Sequence, residues 1–139
     1  MTARTWLGRA RSIGKEMRVL ERAKREAKEA LLHITQKYDG DGAQSTKDPH
    51  KMDKIAEYIG LLDEKHDQLI EARKEITECI YKLEDGRVRA VLMSYYVRGK
   101  SLEQIAFEEN YSYRHVKRLR RQGEDTVEKL SLHVPASGL

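Results

Sequence analysis

The sequence predicts an all-α fold: a long antiparallel helical hairpin of coiled-coil type, followed by a small domain of three short helices. Three observations carry this expectation. Only two prolines and nine glycines occur in 139 residues, while strong helix formers (Ala, Glu, Lys, Arg and Leu) dominate. Apolar residues recur at steps of three and four along most of the chain. Charged residues make up 36% against 39% hydrophobic, so much of the helix surface faces solvent and the core is thin.

The first helix is expected from Thr5 to about Tyr38, where Ile13, Met17, Leu20, Ala27, Leu31 and Ile34 keep helical spacing and Lys24 takes one place in the register. Asp39-Gly40-Asp41-Gly42 and the polar residues after it have the composition of a connecting loop. They do not form a calcium loop, because Ala43, Gln44 and His50 stand where an oxygen ligand, a glycine and a glutamate would be needed. Asp48-Pro49 is a helix start, since aspartate caps free amides and proline fits the first helical position.

The second helix then runs to about Leu83. Met52, Ile55, Ile59, Leu62, His66, Leu69, Arg73, Ile76, Ile80 and Leu83 alternate steps of three and four, the seam of a coiled coil. Polar residues in such a seam, here His66 and Arg73, set register or oligomeric state. Each helix spans about 50 Å at about 1.5 Å per residue, and the short connection folds one back on the other. The seam is longer than bare hairpin stability needs, which predicts self-association, as a dimer.

Glu84-Asp85-Gly86 interrupts the seam. Val88, Val91, Leu92, Tyr95 and Tyr96 then mark one face of a short helix ending near Gly99, a suitable left-handed cap. Ser101-Leu102-Glu103-Gln104 is a capping box that starts another helix. Ser112 can cap the last one, which runs through Val116 and Leu119 toward Leu130. The expected organisation is a hairpin for oligomerisation or partner binding over residues 1–83, a small helical domain over 84–130, and a flexible tail over 131–139.

Net charge is +4 and the isoelectric point about 9.1, which permits a polyanionic partner without requiring one. Residues 1–36 hold nine basic and four acidic side chains, and residues 49–83 hold six and eight. Tyr111 to Gly123 contains Arg114, Lys117, Arg118, Arg120 and Arg121 and no acid. Two short helices joined by a tight turn, the second strongly basic, is the arrangement that lays a helix in the major groove of DNA. Ile105 and Ala106 supply the apolar and small positions of the first helix, Asn110 suits a left-handed turn, and Tyr111, Val116 and Leu119 fall on the inner side. Tyr113, Arg114, His115, Lys117, Arg118 and Arg121 are then left facing outward. Arg114 and Lys117 are the candidates for guanine edges, Ser112 and Tyr113 for phosphates, and Arg118, Arg120 and Arg121 for the flanking backbone.

The segments Ser101-Leu-Glu-Gln-Ile-Ala106 and Tyr111-Ser-Tyr-Arg-His-Val-Lys-Arg-Leu119 resemble the DNA-binding fourth domain of bacterial sigma factors. Over most of residues 5–130 the chain is similar to small phage and prophage proteins of the RinA and ArpU type, late transcriptional regulators with a long helical N-terminal region and a sigma-like ending. Glu109 departs from the pattern by standing where it usually has an apolar residue. So does Gly123, inside the last helix at a cost of about 1 kcal/mol relative to alanine. The resemblance implies a phage-encoded, sequence-specific protein that binds double-stranded DNA, regulates transcription near promoters and touches host RNA polymerase. The alternatives are a small terminase subunit, which commonly carries its DNA-binding motif before its assembly helices rather than after them, and a helical protein-protein adaptor.

No catalytic activity, cofactor or metal is expected. There is no phosphate-cradling glycine loop, nucleophile motif or Cys/His grouping with metal spacing. Cys79, the only cysteine, suits a reducing cytoplasm and reads as a small packing residue. With no apolar signal core and no apolar run of about 20 residues, a cytoplasmic protein without membrane contact is expected.

Overall fold

The computed structural model describes residues 1–40 and 49–134. The protein is all-α, its described elements being α1 (Ala3–Gly40), α2 (Pro49–Ile80), α3 (Gly86–Leu92), a π-helical turn (Met93–Val97) continuing α3, α4 (Leu102–Glu109) and α5 (Tyr113–Lys129). No described helix is long and apolar enough to cross a membrane. Pro49 opens α2 as its fixed φ predicts. Asp39 and Gly40, expected in the loop, close α1 instead; the rest of that loop and the Asp48 cap lie outside the described residues.

α2 ends at Ile80, short of Leu83. The Lys82 and Leu83 amides bond to Cys79 and Ile80 carbonyls at 3.1 Å, tightening the chain into a turn. Leu83 remains buried, and its carbonyl accepts a bond from Arg89 Nη1 at 2.5 Å. Asp85 caps α3, its Oδ1 accepting the Arg87 amide at 2.9 Å, and that bond holds the carboxyl below its ordinary pKa.

Two compact units emerge, one formed by Met1–Lys15 with Ile70–Leu139 and the other by Glu16–Leu69. The small helical domain expected over 84–130 thus shares its unit with the beginning of α1 and the end of α2. Its own short helices bury too little surface to close a core. Val88, Val91, Leu92, Ile105, Val116, Leu119 and Val127 join Ala3, Leu7, Ala10, Ile76, Cys79, Ile80 and Leu83 in one cluster. The Ala3 amide donates to Glu128 Oε2 at 2.8 Å. Leu132, at the start of the expected tail, also packs on this cluster, and His133 Nε2 stands 3.3 Å from Glu128.

In the second unit the helices run antiparallel, with Lys24 Nζ 2.6 Å from Asp63 and Glu21 3.7 Å from His66 Nε2. Lys24 takes the register place the spacing gave it, and its hydrogen bond lowers the Asp63 pKa. Met17, Ala27 and Leu62 are buried. Leu20, Leu31, Ile34, Met52, Ile55, Ile59 and Leu69 are only partly covered, because two helices can bury a single line of contact between them.

Candidate nucleic-acid interface

The interface is assembled from local backbone chemistry. Ser101 Oγ accepts the Gln104 amide at 3.1 Å and Gln104 Oε1 accepts the Ser101 amide at 2.9 Å, so α4 begins in a complete capping box. It ends at Asn110, whose φ of 57° and ψ of 38° are left-handed, a conformation asparagine tolerates better than most residues. The Tyr111 amide bonds back to the Ala106 carbonyl at 3.0 Å. Ser112 Oγ then accepts the His115 amide at 3.1 Å and starts α5. This is a helix-turn-helix.

Ile105, Val116 and Leu119 are buried, and Ala106 and Tyr111 pack against the core. That packing fixes which side of α5 looks outward. Tyr113, Arg114, Lys117, Arg118 and Arg121 line one shallow concave surface. Tyr113 is 45% exposed, and Lys117 Nζ lies 5.5 Å from the centre of its ring. His115 is partly covered, edge-on to Tyr111 at 4.8 Å, and its Nδ1 sits 3.1 Å from Arg118 Nη2. None of Arg114, Lys117, Arg118 and Arg121 forms a salt bridge with a described residue.

Arg120 is a correction to the sequence reading. Its side chain is 13% exposed, with Nε 3.4 Å from Glu124 Oε2 and its guanidinium 5.0 Å over the Tyr95 ring. One step beyond Leu119 and four beyond Val116, it falls on the inner flank of α5 and does not belong to the outward cationic surface. Ser112 remains at the surface, with its hydroxyl oxygen engaged in the cap. Glu109 is solvent-exposed, so its departure from the apolar pattern costs no buried charge.

Sequence reasoning missed the support behind α5. Glu124, 8% exposed, accepts a hydrogen bond from the Tyr96 hydroxyl and lies 4.0 Å from Arg4 Nε. Burial and the adjacent carboxylate push the Tyr96 pKa well above its ordinary value. Arg11 stacks 4.2 Å over the Tyr95 ring and donates to the Lys100 carbonyl at 3.0 Å, bracing the π-helical turn. The tyrosines were legible as members of an apolar face. Nothing in the sequence marks Glu124 or Arg11 as their partners.

Among the described residues no group of three or more His, Cys, Asp or Glu side chains is arranged to hold a metal ion. Burial raises the Cys79 thiol pKa, which suits packing better than nucleophilic chemistry. No protein-family model, curated protein or solved structure matches the chain.

Proposed function

We propose that this protein binds double-stranded DNA sequence-specifically through α5 and regulates transcription. The observation that carries the reading is the division of α5 into two sides. One is locked into the core by Val116, Leu119 and Val127, while the other presents Arg114, Lys117, Arg118 and Arg121, none of which forms a salt bridge with a described residue. Cations in one plane on a rigid helix suit a groove lined with phosphates and base edges. Arg114, in the first turn, and Lys117 are assigned to base edges. Tyr113 and Ser112 are assigned to phosphates, and Arg118 and Arg121 to the flanking backbone.

The transcriptional role and a contact with RNA polymerase rest on the sigma-like resemblance. Self-association through the second unit, as a dimer, rests on its partly covered seam. Paired recognition helices in a two-fold dimer would call for inverted half-sites separated by whole turns of about 10 base pairs.

Duplex-binding titrations across salt test the reading. Replacing Arg118 and Arg121 with alanine is expected to weaken binding to all sequences and to reduce the slope of log affinity against log salt by about 2. Replacing Arg114 is expected to blur the preference among sites instead. Wild-type behaviour in all three variants would overturn the assignment of this surface. Selection of bound fragments from the source genome separates regulation from packaging, promoter-proximal sites supporting the former.

A further inference from the structure

A second line of cations runs along α1. At about 100° per residue, Arg11, Lys15, Arg18, Arg22 and Arg25 share one narrow arc, at steps of four, three, four and three. No acidic residue enters that arc before Glu29. It lies opposite the line of Ile13, Met17, Leu20 and Ala27, which are buried or partly covered. Arg11 is consumed by Tyr95 and Lys100. Within the Glu16–Leu69 unit, Arg18, Arg22 and Arg25 are all exposed, and none forms a salt bridge with a described residue.

A helix face that serves only solubility mixes both signs. α2 of the same unit is sorted in the opposite sense: exposed Asp53, Glu57, Glu64 and Asp67 share one arc, and Lys54 and Lys65 stand about 100° off it. The α1 arc is of one sign, with exposed Glu21 and Glu26 on its flanks, and like charges at such spacing destabilise a helix to the extent that those carboxylates leave them unneutralised. Its apolar side is turned toward α2, leaving no apolar face to enter a lipid surface. Val19, 68% exposed, is the one large apolar residue beside these arginines, too little to anchor a protein partner. A ligand recognised by charge alone, repeated along a line, fits best. Arg18 to Arg25 covers about 10 Å at 1.5 Å per residue, about three phosphates of one strand at 3.4 Å.

We propose that Arg18, Arg22 and Arg25 form a second, sequence-independent site for the phosphodiester backbone of duplex DNA. The proposal rests on α5 being a DNA-reading helix and adds a contact to it. The site supplies affinity and salt dependence rather than sequence choice, because guanidinium groups on phosphates carry no base information.

The test uses the full chain and a duplex of mixed sequence, titrated over about 50–200 mM salt. Combined Arg18→Gln, Arg22→Gln and Arg25→Gln is expected to reduce the log–log slope by about 2 to 3, while the matching lysine triple variant keeps it. Combined Lys54→Gln, Lys65→Gln and Lys74→Gln, removing the same charge from α2, is expected to leave the slope near wild type. If the glutamine triple loses helicity, Arg22→Gln alone reads the same effect as a drop of about 1. An unchanged slope in the α1 variants, alongside a reduced slope in Arg118→Ala with Arg121→Ala, would overturn this site and leave the α5 reading standing. Equal losses from the α1 and α2 triples would reduce it to bulk charge, and a loss confined to phosphatidylserine vesicles would reassign it to lipid. Failure of the wild-type chain to bind duplex at all would remove both readings.

Discussion

A Cβ at Gly123 would lie 2.6 Å from Leu92 Cδ1 and 2.8 Å from Val88 Cγ1. Both neighbours are core side chains with no room to swing out, Leu92 being 0% and Val88 2% exposed. The glycine read from sequence as a weak point in the last helix is therefore a place where α3 and α5 approach closely, and α5 runs unbroken through it. Gly123→Ala gains about 1 kcal/mol of helix propensity but forces overpacking that costs about 1–3 kcal/mol. A lower denaturation midpoint is expected, and a higher one would show that the core yields there. Tyr96 gives a pH dependence. Its folded pKa lies above the unfolded value of about 10, so its contribution is complete below pH 10 and fades as pH rises through the folded pKa. Tyr96→Phe is expected to cost about 1 kcal/mol at neutral pH and to make alkaline destabilisation shallower. Absorbance titration should show one of the seven tyrosines ionising last in wild type and missing from the variant.

At the scale of elements, local chemistry made most helix boundaries legible. The Ser101–Gln104 box, the left-handed Asn110 and the Ser112 cap each satisfy end amides or carbonyls within a few residues, so sequence spacing is enough to place them. The inner line of α5 was legible for the same reason. Arg120 was not, because a run of basic residues gives no signal for the one whose neighbours, Tyr95 and Glu124, come from elsewhere in the fold or a turn ahead. In the Glu16–Leu69 unit, every described seam position from Met52 to Leu69 is at least partly covered, as the alternation predicted. The incomplete burial of Ile59 and Leu69 is what a second copy would relieve. Changing both to asparagine is expected to lower the mass measured by sedimentation and, with it, DNA affinity. A wild-type chain that sediments as a monomer at high concentration would exclude dimerisation and leave the seam to another partner.

The whole molecule depends on contacts between the chain's beginning and its end. Leu7 is 0% exposed in the core cluster that also holds Val116 and Val127. Leu7→Ala is therefore expected to destabilise the helix-turn-helix unit by about 2–5 kcal/mol, read as faster hydrogen exchange of the Val116 and Leu119 amides. Unchanged exchange would show that residues 84–130 hold their core without α1. By itself the sequence determined the all-α class, the order of helices, the Ser101, Asn110 and Ser112 caps and the outward cationic side of α5. These follow from backbone hydrogen bonding and apolar periodicity, which act over a few residues. Only the tertiary structure decided that α1 and α2 lend their ends to the helix-turn-helix unit, that Arg120 turns inward and that Glu124 serves Tyr96. Each of these depends on which distant surfaces bury one another, and a periodic pattern states that a face must be covered without stating by what.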